Sequence, residues 1–248
     1  MDKKNKKIAL VTGSTGGIGT AICKKLHDEG YIVVAHYRNR EKAEEWNTQL
    51  KSEGYDLPLA MADVSDFDEV EKMFEDIKNR IGTVDILVNN AGITRDGSFR
   101  KMSFEQWNSV INADLTSVFN CCRHAINDML SSNYGRIVNV SSVNGQRGQF
   151  GQVNYSAAKA GMHGFTKSLA METARKGVTI NTVSPGYIAT DMVMAVPEDI
   201  LKQIIAEVPM GRLGTPEEIA EIIAYIVSDK AGFVTGANFA INGGQHVY

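Results

Sequence analysis

The sequence predicts an α/β fold in which one doubly wound parallel sheet is flanked by helices on both faces. Short apolar runs alternate with amphipathic segments along the whole chain, and this alternation is typical of parallel α/β sheets. The first apolar run, IALV at 8–11, passes directly into a glycine-rich turn and then into a helical pattern. No linker, internal repeat or low-complexity segment interrupts the 248 residues, so we expect a single domain over 1–248.

The apolar runs predict seven strands. They lie at 8–11, 31–35, 57–62, 84–88, 136–140, 178–183 and 239–241. Helical periodicity predicts helices at 20–29, 41–53 and 70–81, a long helix from a cap at 103 through 129, another from about 154, and one that starts at 215. We interpret 189–209 as a loop with helical pieces.

Capping signals set the helix limits. Gly30 ends the first helix, and Ser103 with Gln106 resembles a capping pair for the long helix. Thr215, followed by a proline and two glutamates, is a strong helix start. The long helix carries a wide apolar stripe, which suggests burial on more than one side, and an interface with another subunit is one explanation. Asp114 is the polar residue inside that stripe.

Charge and composition narrow the class of protein. The net charge is -3 and the sequence pI is about 6.0, so we expect no nucleic-acid partner. The three cysteines and five scattered histidines show no ligand spacing. We therefore expect no metal site, and reduced, mostly buried thiols in a cytoplasmic protein. The apolar run at 8–11 is too short for a signal peptide or a membrane span, so no membrane partner is expected.

The glycine-rich turn TGSTGGIG at 12–19 is typical of a dinucleotide-binding unit. Gly13 permits the tight turn, while Gly17 and Gly19 let a pyrophosphate approach the backbone and let the helix pack on the strand. The helix that follows would present unpaired N–H groups and its positive dipole end to the phosphates. The predicted sheet is therefore Rossmann-like, with ligands bound beyond the carboxyl ends of its strands.

The segment after the second strand favours NADP(H) over NAD(H). In NAD-binding folds a carboxylate usually follows the glycines by about 20 residues and binds the ribose 2′-hydroxyl. Here the sequence is HYRNR at 36–40, and Glu41 is the first carboxylate. The guanidinium groups of Arg38 and Arg40 suit a 2′-phosphate by charge and by bidentate geometry. The alternative is that these arginines only solubilise a loop.

Further strand ends carry residues that suit a ligand. Asp63 could accept a hydrogen bond from an adenine amino group; alternatively it belongs, with Ser65 or Asp66, to the cap of the next helix. The sequence NNAG at 89–92 suits a chain that passes close to a ligand or that fixes a strand end. Ser142 lies just beyond the fifth predicted strand, at the edge where parallel sheets bind ligands.

Tyr155 and Lys159 are four residues apart, so on a helix they share one face. An ordinary phenol has a pKa of about 10 and is a poor proton donor or acceptor at neutral pH. A lysine cation one turn away favours the phenolate, which makes Tyr155 a candidate general acid or base. The alternative is that Tyr155 and Lys159 only form a pattern that is common on solvated helices. The catalytic interpretation therefore depends on what the rest of the chain supplies.

The combination of TGSTGGIG, NNAG, Ser142, Tyr155, Lys159 and SPG at 184–186 resembles the short-chain dehydrogenase/reductase family over 8–244. Within that family, NNAGITRDGSFRKM, SSVNGQRGQFGQVNYSAAKAGMHGFT and SPGYIATDMV are similar to acetoacetyl-CoA reductases of polyhydroxybutyrate synthesis. The resemblance implies NADPH-dependent reduction of acetoacetyl-CoA to (R)-3-hydroxybutyryl-CoA by a homotetramer. Two alternatives stay open: a 3-oxoacyl-(acyl-carrier-protein) reductase of fatty acid synthesis, and a non-catalytic NADP-binding regulator.

The resemblance also implies a role for each site residue. Tyr155 would donate its proton to the substrate ketone, Ser142 would hydrogen-bond the ketone oxygen, and Lys159 would act on the tyrosine and bind the nicotinamide ribose. Many members have an asparagine as a fourth catalytic residue; Asp114 stands at the matching position and brings a charge into a partly buried site. The implied NADPH-binding residues are Gly13, Ser14, Gly17, Ile18, Gly19, Arg38, Arg40, Asp63, Val64, Asn90, Gly92, Tyr155, Lys159, Pro185, Gly186, Ile188 and Thr190.

The implied substrate-binding residues are Asp96, Lys101, Gln149, Phe150, Gln152 and Tyr187. Phe150 and the glutamines could close a small pocket over the acetoacetyl group; alternatively Phe150 packs in the core and the glutamines face solvent. The related carrier-protein reductases usually have asparagine and a smaller residue near Gln149 and Phe150. Arg95, Arg100 and Lys101 could bind an acidic carrier protein or the phosphates of CoA.

Overall fold

The computed structural model describes residues 6–247, apart from the side chain of Met192. Within that range, seven parallel strands form one sheet in the order β3-β2-β1-β4-β5-β6-β7. The strands are β1 (Ile8–Val11), β2 (Ile32–Tyr37), β3 (Leu59–Met61), β4 (Ile86–Asn89), β5 (Gly135–Val140), β6 (Val178–Pro185) and β7 (Asn238–Ile241). The arrangement confirms the predicted α/β fold with a doubly wound parallel sheet.

Helices connect the strands. They are α1 (Gly17–Asp28), α2 (Arg40–Ser52), α3 (Phe67–Arg80), α4 (Phe104–Ile111), α5 (Ser117–Ser132), α6 (Asn144–Arg147), α7 (Val153–Thr173), α8 (Asp191–Met194), α9 (Glu198–Ala206) and α10 (Pro216–Val227). A π turn at Asn112–Thr116 joins α4 to α5, and short 3-10 turns occur at Phe99–Lys101, Ala174–Lys176 and Asp229–Ala231. The capping pairs that the sequence predicts for α4 and α10 are both formed.

The alternation of side chains along each strand produces two hydrophobic cores, one on each face of the sheet. On β1, Ala9 and Val11 pack under α1, α2 and α10, whereas Ile8 and Leu10 pack under α3, α5 and α7. All four side chains are buried. Because both faces are covered, the strands are apolar without interruption, which is the pattern that the sequence shows.

The chain reverses its direction of travel across the sheet beside β1. Strand β1 pairs with β2 on one side and with β4 on the other, with Val11 opposite both Ala35 and Val88. Connections on the two sides of this point leave in opposite directions, so a crevice opens beyond the carboxyl ends of β1 and β4. The candidate site residues that follow β1, β4, β5 and β6 therefore lie along one edge of the sheet.

Some predicted limits were wrong. The long helix predicted through 129 is two helices joined by the π turn, and it continues to Ser132, where Asn133 ends it in the left-handed region at φ 51°. Strand β3 has only three residues, and β6 extends to Pro185. Hydrophobic periodicity defines the buried face of an element, but it does not report hydrogen-bond registers such as the π turn.

Cys23, Cys121 and Cys122 are free and buried. Among residues 6–247, no helix has both the length and the apolar character needed to cross a membrane. In the same part of the chain, no group of three or more histidine, cysteine, aspartate or glutamate side chains is arranged to hold a metal ion.

Candidate active site

The glycine turn after β1 is closed so tightly that two of its glycines leave no space for a side chain. Gly13 has φ +65°, and a Cβ there would lie 2.9 Å from the Cα of Ala91. A Cβ on Gly19 would overlap the carbonyl oxygen of Gly13 and come within 2.9 Å of the Asn90 side chain. The turn therefore presents bare backbone to the crevice at the start of α1.

Two polar side chains fix this turn to the end of β4. The Asn90 amide donates hydrogen bonds to the carbonyl oxygens of Thr12 (3.0 Å) and Gly13 (3.1 Å). In return, the Thr12 hydroxyl accepts from the backbone N–H groups of Asn90 (2.9 Å) and Ala91 (3.0 Å). Ser14 is also occupied inside the fold, because its hydroxyl donates to the Val11 carbonyl at 2.7 Å. The side chains of Asn90 and Ser14 thus shape the turn.

His36, at the end of β2, is a support of the turn that the sequence analysis missed. Its ring is buried, Nδ1 accepts the Gly13 N–H at 3.1 Å, and Nε2 lies 3.0 Å from the Ala62 carbonyl oxygen. These partners require the neutral ring with the proton on Nε2. Burial is the main cause that lowers the pKa of His36 to about 4. A polar side chain at the end of an otherwise apolar strand was the signal in the sequence.

We expect His36 to make the fold sensitive to acid. Its pKa is lower in the folded state than the ordinary value of 6.5, so on acidification the unfolded chain takes up the proton first. Stability is therefore lost as the pH falls from about 6.5 to about 4, by roughly 2 kcal/mol between pH 7 and pH 5. Urea unfolding of wild type and His36→Gln at both pH values tests this. The stability difference between the two proteins should shrink at pH 5, and a constant difference would contradict the assignment.

An exposed ion pair lies beyond the carboxyl ends of β2 and β3. The Arg38 guanidinium lies 3.6 Å from the Asp63 carboxylate, which also accepts from the Ser65 N–H (2.9 Å) and hydroxyl (2.6 Å). Burial alone would raise the pKa of Asp63, but the Ser65 hydrogen bonds and Arg38 together lower it. Asp66, and not Asp63, caps α3 by accepting the Glu69 N–H. The capping role that was one of the two predictions for Asp63 therefore belongs to Asp66.

The segment after β6 closes one end of the crevice. A Cβ on Gly17 would lie 3.0 Å from the Thr190 side chain, so this segment lies against the start of α1. Pro185 and Ile188 are buried, and the Gly186 N–H donates to the Ile241 carbonyl at 2.9 Å. Predicted cofactor residues from β1 and β6 are thus brought together.

These features fit a dinucleotide. The first N–H groups of α1, at Gly17, Ile18 and Gly19, have no acceptor within the helix and lie at its positive end, which suits a pyrophosphate. The glycines leave the backbone open to that approach. Arg38 and Arg40 are exposed at the end of β2 and the start of α2, where a ribose phosphate could reach them.

The candidate catalytic side chains come from β5 and α7. The Lys159 ammonium donates to the Val140 carbonyl at 3.0 Å and lies 5.4 Å from the centre of the Tyr155 ring. The Ser142 hydroxyl accepts the Asn144 N–H at 3.1 Å, so its own proton is available to another acceptor. Tyr155 is half-buried and Lys159 is buried. The predicted tyrosine, lysine and serine therefore lie around the carboxyl end of β5.

The π turn directs Asp114 into this cluster. Its carboxylate is fully buried, with Oδ1 accepting the Ile93 N–H at 2.8 Å and Oδ2 3.2 Å from the Lys159 ammonium. Burial raises the pKa of Asp114, while Lys159 and Ile93 act in the opposite direction. Burial by itself lowers the pKa of Lys159. The interactions with Asp114 and Tyr155 outweigh the effect of burial, and the pKa of Lys159 is raised. Since both contacts of the carboxylate favour its ionised form, the two side chains form an ion pair.

A family model described as enoyl-(acyl carrier protein) reductase matches residues 13–246 of this chain. The chain belongs to the short-chain dehydrogenase/reductase family. As a member of that family it is an oxidoreductase that uses a nicotinamide cofactor. The reaction in that family description differs from the reactions named for the relatives below, so the match shows the family and leaves the substrate open.

Curated relatives cover nearly the whole of this short-chain dehydrogenase/reductase. An acetoacetyl-CoA reductase of Cupriavidus necator is 54% identical over 98% of this chain and 99% of its own length. An acetoacetyl-CoA reductase of Allochromatium vinosum is 53% identical over 98% of this chain and 99% of its own. A 3-oxoacyl-(acyl-carrier-protein) reductase of Staphylococcus aureus is 42% identical over 98% of this chain and 100% of its own.

The predicted substrate residues of this family member are divided between two sides of the site. Gln152 donates to Asp96 at 2.9 Å and accepts from the Asn144 amide at 2.9 Å, so it joins the loop after β4 to the Ser142 loop. Tyr187 lies on the β6 side, where its N–H donates to Gln245 at 3.0 Å. Lys101 is exposed on the 3-10 turn before α4, and Gln149 is half-buried.

Phe150 does not pack in the core, so that alternative was wrong. Its side chain is 90% exposed and stands between Gly148 and Gly151, which have φ of +76° and +82°. The alternative that the glutamines face solvent is also wrong for Gln152, whose amide makes both of the hydrogen bonds described above. The loop 148–151 is joined to the loop after β4, because the Gly151 carbonyl accepts the Gly97 N–H at 2.8 Å.

Asn154 is a second support that sequence reasoning missed in this reductase family member. Its buried amide donates to the carbonyl oxygens of Arg95 and Gln106, both at 3.1 Å, and its oxygen accepts the Tyr155 N–H at 2.8 Å. The start of α7 is therefore fixed to α4 and to the loop after β4. A buried asparagine beside a catalytic residue has no distinct sequence pattern, because Asn is equally common in exposed helix caps.

Proposed function

We propose that this protein reduces acetoacetyl-CoA to (R)-3-hydroxybutyryl-CoA with NADPH. The single observation that carries the proposal is the grouping of Ser142, Tyr155 and Lys159 beyond the carboxyl end of β5, in the same crevice as the glycine turn. The relatives named acetoacetyl-CoA reductase, at 53–54% identity over nearly full length, support the choice of substrate.

Each of the three side chains has a separate role in the proposed reaction. A bound nicotinamide cofactor supplies the hydride. Tyr155 holds the proton that the ketone oxygen needs, and Ser142, whose hydroxyl proton is free of the Asn144 contact, donates a hydrogen bond to the same oxygen. Lys159 is held by Val140 and Asp114 one helical turn from the phenol, and it would bind the ribose of a bound cofactor. After each turnover Tyr155 regains its proton from water.

The choice of NADPH over NADH rests on Arg38 and Arg40. Both residues are exposed, at the end of β2 and the start of α2, and Arg38 lies 3.6 Å from the Asp63 carboxylate. A 2′-phosphate would gain charge-assisted hydrogen bonds from them.

The acyl group is assigned to the space beside Phe150. An exposed aromatic ring on a loop flanked by two glycines in the left-handed region has few contacts in the free protein. Packing over a small acyl group would bury it, and Gln149 on the same loop and Gln152 at the start of α7 would reach the thioester. This loop is where the protein would distinguish its substrate from those of related reductases.

A carrier-protein thioester is the second candidate substrate. The exposed side chains of Arg95, Arg100 and Lys101 form a basic group beside the site, and the Staphylococcus aureus relative supports this alternative at 42% identity. We expect kcat/KM, measured by NADPH oxidation, to be higher for acetoacetyl-CoA than for the acetoacetyl thioester of an acyl-carrier protein. A preference for the carrier-protein substrate would favour the second candidate.

We also propose a homotetramer of single-domain chains in the cytoplasm. The aromatic rings of Phe67 on α3 and Phe119 on α5 stack at 6.3 Å and remain 40% and 49% exposed, which favours a subunit contact there. The three free, buried cysteines suit a reducing compartment. The alternative of a non-catalytic regulator is set aside, because the family is one of oxidoreductases and the tyrosine, serine and lysine are all present.

A further inference from the structure

A buried ion pair lies behind the candidate proton donor. The Asp114 and Lys159 side chains are 0% and 4% exposed, and their charged atoms are 3.2 Å apart. The Ile93 N–H fixes one carboxylate oxygen, and the Val140 carbonyl accepts from the ammonium. Gly92 closes the pair from above, since a Cβ there would lie 2.7 Å from the carboxylate and 3.2 Å from the ammonium.

We propose that Asp114 is a positioning residue that neutralises Lys159 and so weakens the field that would otherwise favour the Tyr155 phenolate. The proposal rests on the proposed function insofar as that function makes Tyr155 the proton donor. The proposed effect comes from the negative charge at position 114, so a neutral side chain of the same shape, such as asparagine, would not produce it.

The geometry explains the direction of the effect. The Lys159 ammonium is 5.4 Å from the centre of the Tyr155 ring, close enough for its charge to favour the phenolate. The Asp114 carboxylate contacts the same ammonium, so it cancels much of that field in a site where water does not screen it. A phenol is the acid that ketone reduction consumes, whereas a phenolate is the base that the reverse oxidation requires.

Other charged groups on the surrounding elements have partners of their own or are exposed. On the loop after β4, Asp96 accepts from Gln152 and the Arg95 guanidinium donates to the Thr94 carbonyl. On α7, the His163 ring lies 2.9 Å from the Ser141 hydroxyl, and burial together with Lys167 lowers its pKa, which keeps the ring neutral. Glu105 on α4 and Arg147 on α6 are exposed, and Arg147 pairs with Glu207 at 3.9 Å.

The test is a pH titration of tyrosinate absorbance in the protein without cofactor. Wild type and Asp114→Asn are each measured with and without the Tyr155→Phe change, and the difference within each pair isolates the ionisation of Tyr155. We expect the Asp114→Asn midpoint to lie lower than that of wild type by about 1 to 2 pH units. Glu105→Gln removes one exposed carboxylate from the neighbouring α4 and should leave the midpoint unchanged.

An equal or higher midpoint in Asp114→Asn would overturn the proposal, as would an equal shift in Glu105→Gln. Far-UV circular dichroism and thermal unfolding establish that the variant is folded, and Asp114→Ser carries the same prediction if the amide is not tolerated. A purely structural role for Asp114 would lower stability without moving the midpoint.

The kinetic counterpart separates this proposal from the proposed function. In Asp114→Asn, the alkaline decline of kcat/KM for acetoacetyl-CoA reduction should begin at a pH lower by the same amount. If Tyr155→Phe reduced acetoacetyl-CoA as fast as wild type, the proposed function of Tyr155 would be wrong. If only the midpoint failed to move, the role of Asp114 alone would be wrong.

Discussion

Tyr155→Phe is expected to lower kcat for acetoacetyl-CoA reduction by about a thousandfold. The change removes the phenolic proton and keeps the ring that lies beside Lys159. Ser142, Lys159 and the glycine turn stay in place, so affinity for NADPH should remain close to that of wild type. Steady-state kinetics and a fluorescence titration with NADPH measure the two quantities on the same preparation.

Tyr225→Phe is the matched control, because Tyr225 lies on α10 with its side chain 45% exposed. We expect this variant to keep wild-type turnover and NADPH affinity. Retention of more than about a tenth of wild-type kcat by Tyr155→Phe would mean that another group donates the proton. A loss of NADPH affinity equal to the loss of kcat would instead point to damage of the cofactor site.

The double change Arg38→Ala, Arg40→Ala is expected to weaken NADPH binding by about a hundredfold. Each guanidinium would otherwise contribute charge-assisted hydrogen bonds to the 2′-phosphate. NADH lacks that phosphate, so its affinity should change little, and the preference for NADPH should largely disappear. Dissociation constants for both cofactors, measured by calorimetry, give the comparison directly.

Arg175→Ala is the control for this experiment. Arg175 is exposed on the 3-10 turn before β6, at the opposite edge of the sheet from the crevice. Its replacement removes the same charge without touching the loop after β2. If the double variant bound NADPH and NADH more weakly by the same factor, Arg38 and Arg40 would support the loop after β2 and would not bind the 2′-phosphate.

Much of the fold could be predicted from local patterns. The run at 8–11 matches β1 residue for residue, and the caps at Ser103 and Thr215 start helices where the sequence predicts them. These features depend on neighbours in sequence, such as apolar period, side-chain caps and glycines. The turn at Gly13 was predictable for the same reason, since its positive φ is a local property.

The supports of the site could not be predicted in this way, because their partners are distant in sequence. His36 acts through Gly13 and Ala62, which only the sheet brings together. Asp114 was singled out as the polar residue in an apolar stripe, but the π turn that aims it at Lys159 changes only a hydrogen-bond register. Phe150 is apolar and was open to a core position, yet two glycines hold it in solvent.

The most direct test of the proposed activity is to mix the purified wild-type protein with NADPH and acetoacetyl-CoA, and to determine both NADPH consumption and the configuration of the product. We expect NADPH to be oxidised in equal amount to the (R)-3-hydroxybutyryl-CoA formed. No oxidation of NADPH by acetoacetyl-CoA, or a product of the S configuration, would contradict the proposed function.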